Sequence, residues 1–75
     1  MPKLEYADGK CTVTVAHGMA EDHLIEYIYA KDATGAIVAI VKLTATDAPT
    51  LTFETTATDL VGFEYCNQHG VWSSA

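Results

Sequence analysis

The segment LIEYIYAKDATGAIVAIVKL, residues 24–43, decides how the chain is read. Leu24 to Ala30 is dense in isoleucine and tyrosine, side chains that suit a pleated, half-buried surface. Asp32-Ala33-Thr34-Gly35 then reads as a turn, with an aspartate able to bond its own backbone and a glycine free to adopt positive φ. Ala36 to Leu43 is apolar on both faces except at Lys42, which predicts a buried central strand. No convincing 3.6-residue apolar period runs over a helical length. The segment is therefore strand, turn, strand.

The same pattern extends in both directions. Asp8-Gly9 lies between Leu4–Ala7 and Lys10–Ala16, a hairpin signal. Cys11, Val13 and Val15 share one face of the second run, opposite Thr12, Thr14 and Ala16. His17-Gly18 ends that run, and Met19 to His23 is expected to form one helical turn. Asp47-Ala48-Pro49 breaks the chain before Thr50–Thr55, where Leu51 and Phe53 alternate onto one face. Leu60 to Cys66 reads as a further strand with Val61, Phe63 and Tyr65 on one side, and Val71-Trp72 starts a last short one. Ser73-Ser74-Ala75 is expected to fray. Six or seven short strands at a spacing of roughly 8–12 residues predict an all-β sandwich or barrel.

Length and charge narrow the function. A chain of 75 residues forms one domain and buries only about 60 % of its unfolded surface, so a metal, a disulfide or a partner subunit is a plausible support. Being 49 % hydrophobic and 19 % charged, it is globular rather than disordered. Its net charge is −6, with four lysines and no arginine. That excludes a phosphate-neutralising surface for nucleic acid and argues against an anionic membrane as partner. No secretory leader and no membrane-spanning run is read in it, so the expected compartment is the cytoplasm, where Cys11 and Cys66 stay reduced.

The residues able to carry chemistry are His17, His23, Cys66 and His69. Each falls at the end of a strand or in the loop beside it, and in a sandwich such loops cluster at the sheet ends. Cys66 and His69, three apart across a turn, can aim sulfur and imidazole at one atom. Thiolate with imidazole suits zinc, iron or copper and not calcium or magnesium. Each histidine also has the ordinary alternative of a surface or packed residue. Cys11 reads as a small buried hydrophobe. Tyr27, Tyr29 and Tyr65 read as strand packing residues. Glu21 and Asp22 read as solvated, with an outer-sphere acceptor for a ligand histidine as the alternative. Ser73 and Ser74 have no base partner for a hydrolase triad.

Two stretches carry a resemblance. HGMAEDHLIEYI, residues 17–28, resembles the superoxide reductase motif H-P-M-x-x-x-H-x-I-x-W-I, and CNQHGVW, residues 66–72, resembles C-N-x-H-G-x-W of the same family. The order and internal spacing match, with Gly18 in place of proline and Tyr27 in place of tryptophan. The family includes desulfoferrodoxin and neelaredoxin. The resemblance implies an immunoglobulin-like β-sandwich over residues 1–75, a single metal-binding domain. It implies that His17, His23 and His69 are equatorial ligands of a mononuclear non-haem iron and that Cys66 is its axial thiolate, opposite the position where superoxide binds. Asn67 and Gly70 match the loop that shapes the turn, and Trp72 is expected to pack in the core. No further residue is assigned a catalytic role. In the family a fourth histidine, a glutamate and a lysine lie upstream of the first motif; here that segment would fall before Met1, and Lys3, Leu4, Glu5 and Tyr6 include no histidine.

The implied function is reduction of superoxide to hydrogen peroxide at an iron held by three histidines and one cysteine, with superoxide or another small ligand at the iron and an unidentified electron donor. The alternatives are a non-catalytic metal-binding sandwich, with structural zinc or a vestigial site, or a small interaction domain. A homo-oligomer is compatible with either.

Overall fold

The computed structural model describes residues 1–75. Seven strands follow one another without an intervening helix: β1 (Pro2–Ala7), β2 (Lys10–Val15), β3 (Ile25–Lys31), β4 (Ile37–Lys42), β5 (Thr50–Glu54), β6 (Val61–Cys66) and β7 (Gly70–Ser73). They form two antiparallel sheets, β1-β2-β5 and β4-β3-β6-β7. This is the sandwich expected from the strand count. No helix is long and apolar enough to cross a membrane.

Local chemistry accounts for the turns. Asp8 and Gly9 take φ of 54° and 73°, the left-handed pair that a two-residue hairpin requires, and they join β1 to β2 with Ala7 opposite Lys10. The Asp32 carboxylate accepts from the Thr34 and Ala36 amides at 2.9 and 3.1 Å and from the Thr34 hydroxyl at 2.6 Å. Asp47 does the same for the Thr44 amide and hydroxyl, at 2.7 and 3.0 Å. These bonds, the Thr34 hydroxyl's first for Asp32 and the Thr44 amide's for Asp47, hold both carboxyls below the ordinary aspartate value.

Between the sheets lies a core of Cys11, Val13 and Val15 from β2, Ile25 and Ile28 from β3, and Cys66 from β6, closed by Leu43 and Leu60. The alternation expected on β2 is therefore the one observed. On β3 a bulge between Ile25 and Tyr27 shifts the pleat, so that Ile25 and Ile28, three apart, both point inward. β6 turns Gly62, Glu64 and Cys66 inward. Its larger apolar side chains lie on the outer face, where Phe63 stacks on Tyr29 at 5.0 Å and Tyr65 approaches Tyr27 at 6.4 Å. Gly62 is small because β6 crosses the other sheet there: an added Cβ would stand 2.6 Å from Leu4 Cδ1.

Three expectations need correction. β4 is not a central strand but the edge of the four-stranded sheet, and Ile37, Val38 and Ile40 are 53, 46 and 54 % exposed. An all-apolar run predicts two covered faces, yet within β4 only Val41 packs against the core, and Leu43 joins it just beyond the strand. Residues 19–23 form no helical turn; Ala20 and His23 exchange backbone bonds at 3.0 and 3.1 Å around Glu21-Asp22. The C-terminal serines do not fray, because Ser73 lies in β7 and Ser74 exchanges bonds with Gly62 at 2.9 Å, through its amide and its hydroxyl.

Candidate metal centre

The ends of β2, β3 and β6 meet at one pole of the sandwich. His17 sits two residues beyond β2, His23 two residues before β3, Cys66 closes β6, and His69 lies in the turn to β7. The structure brings together all four residues singled out in the sequence. Their ligand atoms lie within 4.8 Å of one another. Cys66 Sγ is 3.9 Å from His17 Nε2 and 3.6 Å from His69 Nδ1, and His23 Nε2 is 3.3 Å from His69 Nδ1. The imidazoles stand edge to face, His17 on His23 and His23 on His69, with centroids 4.9 and 4.8 Å apart.

The loop carrying His23 and the turn carrying Cys66 and His69 are joined by Asn67. Its side-chain oxygen accepts the Leu24 amide at 3.0 Å, and its own amide donates to the Leu24 carbonyl at 3.2 Å. Asn67 Nδ2 and Gln68 Nε2 both donate to the Asp22 carbonyl, at 3.2 and 2.6 Å. His23 is thereby tied to Cys66 and His69. Asp22 contributes through its backbone oxygen and not as the carboxylate acceptor considered from sequence. His17 is oriented by its own loop, with Nδ1 on the Gly18 carbonyl, which leaves Nε2 for the cluster. Gly70, at φ 78°, lets the chain reverse into β7 immediately after His69.

Burial differs across the set. Cys66 is buried, His17 and His23 are half-buried, and His69 is exposed. A cavity of about 390 Å³ opens beside them, bounded by Met1, His17, Glu64, Cys66, His69 and Trp72. Trp72 is 52 % exposed on this wall, not packed in the core as expected from sequence. Glu64 was not anticipated. The available signal was its parity: two residues before Cys66 on a strand, it must share the cysteine's face. Cys11 stays apart as a second free thiol, and burial pushes its pKa up.

The donor set fits a soft or borderline metal ion. Ions of this class bind imidazole and thiolate at about 2.0–2.3 Å, so two ligands of one ion stand at most about 4.4 Å apart. The three contacts of 3.3, 3.6 and 3.9 Å already satisfy that limit, and the widest separation of 4.8 Å exceeds it by a few tenths of an ångström, within side-chain adjustment. One sulfur and three imidazole nitrogens exclude the hard cations.

Comparison with known proteins agrees with this geometry. The desulfoferrodoxin family model matches residues 3–75. The structure of a superoxide reductase from Treponema pallidum is similar at a TM-score of 0.81 and 35 % identity, covering 99 % of this chain. The chain spans 63 % of that protein's length. A superoxide reductase (1Fe-SOR) from Giardia intestinalis has a TM-score of 0.77 at 19 % identity, over 97 % of this chain and 91 % of its own. A neelaredoxin from Ignicoccus hospitalis has a TM-score of 0.76 at 24 % identity, over 97 and 74 % respectively. At those identities the last two show the fold alone. No curated protein matches the chain.

Proposed function

The chain belongs to the desulfoferrodoxin family, and from that premise we propose that His17, His23, Cys66 and His69 hold a mononuclear iron that reacts with superoxide. The observation that carries the proposal is the convergence of one thiol and three imidazoles from two distant sequence motifs onto one point. Bound there, iron would supply one electron to superoxide, which with two protons becomes hydrogen peroxide, and an external one-electron donor would restore the ferrous state.

The chain's own residues prepare the site. Cys66, held in the core at the end of β6, offers its sulfur from a fixed direction. The Gly18 carbonyl selects the His17 tautomer that leaves Nε2 unprotonated toward the cluster. Asn67 sets the distance between the His23 loop and the Cys66–His69 turn. The exposed side of His69 leaves the site reachable by a small anion.

A second reading follows from the ligand count. Four N and S donors are the number that closes a tetrahedral zinc site, which would then be structural. Elemental analysis of untagged protein, with visible spectra before and after oxidation, separates the two. About one iron per chain with a thiolate-to-iron band on oxidation, followed by consumption of pulsed superoxide, supports the redox reading. Stoichiometric zinc without such a band moves the assignment to a structural centre. Protein that takes up neither metal leaves the sandwich as an interaction module.

A further inference from the structure

The two sheets have four edges, formed by β1, β5, β4 and β7. Three of them are guarded. β1 carries Pro2, Lys3 and Glu5, β5 exposes Thr50, Thr52 and Glu54, and β7 has only four residues. Proline, charge and brevity are the devices that keep an edge from pairing with other chains. β4 lacks them over most of its length, since the run Ala36 to Val41 contains neither proline nor charge. Three of the protein's seven exposed large apolar side chains, Ile37, Val38 and Ile40, stand on this one strand.

The register shows which backbone groups of β4 are free. The Leu43 amide donates to the Glu26 carbonyl at 2.8 Å, so Tyr27 and Lys42, directly opposite each other, form a non-hydrogen-bonded pair. Pairs alternate along an antiparallel ladder. Ala39 and Val41 therefore spend their N–H and C=O groups on Ala30 and Ile28, while Ile40 and Lys42 aim theirs at the open edge. The bulge between Ala30 and Lys31 disturbs only the start of β4 and leaves residues 39–42 in regular pairing. On the outer face Ile40 stands beside Tyr29, which stacks on Phe63, so an apolar row runs up to the edge and stops there.

We propose that β4 is the docking strand for a second copy of this chain, paired antiparallel with its own β4 about a two-fold axis at Ala39, so that the two four-stranded sheets join edge to edge. Charge selects this partner and this direction. Lys42 is the only charged residue on β4 and lies at its end. Asp32 stands in the turn before the strand begins, with its carboxylate on the Ala36 amide at 3.1 Å. The antiparallel copy sets Lys42 opposite Ala36 of the second copy, beside that carboxylate, and symmetry repeats the match at the other end. A parallel copy would bring the two lysines together. Ile40 then faces Val38 of the second copy, and the free amide and carbonyl of Ile40 gain partners. The pairing is a property of the metal-free chain and goes beyond the metal-centre reading.

Two measurements test it on the full chain. Sedimentation equilibrium over a range of concentrations should show a monomer–dimer equilibrium, with Ile40→Lys raising the dissociation constant at least about tenfold. Below the dissociation constant both proteins are monomers and should unfold alike in urea, which separates a lost dimer from a damaged fold. Amide hydrogen exchange then identifies the face. On dimerisation the Ile40 and Lys42 amides should gain protection, whereas those of Ala39 and Val41, bonded to β3, should be protected in both states. Wild-type protein that stays monomeric up to about 1 mM overturns the inference. So does a dimer that Ile40→Lys leaves unchanged, or one in which the Ile40 and Lys42 amides exchange as fast as in the monomer.

Discussion

Asn67 spans the His23 loop and the Cys66–His69 turn with its main chain and its side chain at once. Its neighbour in the sequence, Cys66, supplies the sulfur, but Asn67 determines where His23 stands relative to it. Asn67→Ala would leave the part-buried Leu24 amide without an acceptor, at a cost of about 1–3 kcal/mol. The expected outcome in a denaturant titration is a lower midpoint with an unchanged slope, together with weaker cobalt binding. A loss of stability with full metal affinity would mean that the latch does not position the ligands. The asparagine was legible as part of a motif. Its partners were not, because Leu24 lies 43 residues away and no local rule pairs the two.

At the scale of the elements, β4 and β6 show how a strand's composition differs from its environment. The apolar run of β4 lies at a sheet edge, and the outer face of β6 carries Phe63 and Tyr65 while Gly62, Glu64 and Cys66 face inward. Lys31 covers part of that outer face, its Nζ 5.0 Å from the centre of the Phe63 ring. Substitutions read out the distinction. Ile40→Lys, at a position 54 % exposed, should change unfolding free energy by no more than about 0.5 kcal/mol. Ile28→Ala, at a fully buried position, should cost about 2–5 kcal/mol. Equal losses in urea titrations would restore β4 to the interior. The Lys side chain should also blunt the edge strand against pairing with other chains.

For the molecule as a whole, 13 of 75 residues are buried, so the core offers little margin and a bound metal should weigh heavily. At a free metal concentration about 1,000 times Kd, binding adds about 4 kcal/mol. In a domain of this size that raises Tm by roughly 15–30 °C. Calorimetry of loaded and chelated protein checks this, and equal melting temperatures would remove any structural role for the ion. Acid acts elsewhere. Asp32 and Asp47 titrate below the ordinary aspartate value when folded, so each contributes stability that is complete above its unfolded value, about 3.9, and is lost as pH falls through the folded one. The double variant D32N/D47N should therefore flatten the decline of Tm below about pH 4. An unchanged acid limb would mean that these turns carry no pH dependence.

By itself the sequence determined the class of element, the turns and the four residues that cluster. Alternation along β2, Asp8-Gly9, the aspartate turns and the two histidine-bearing motifs are all local or fixed in spacing, and side-chain chemistry at short range is enough to read them. Only the tertiary structure decided which strand lies at an edge, which face of β6 is covered, and that Trp72 lines a cavity and not the core. Those outcomes depend on which sheet packs over which, and a strand's own period of two specifies that its faces differ without specifying which is buried. Glu64 belongs to the same category: as a residue type it suggests solvent, and only the crossing of β6 over the opposite sheet, one pleat from Cys66, turns it into the unpaired carboxyl beside the histidine–cysteine cluster.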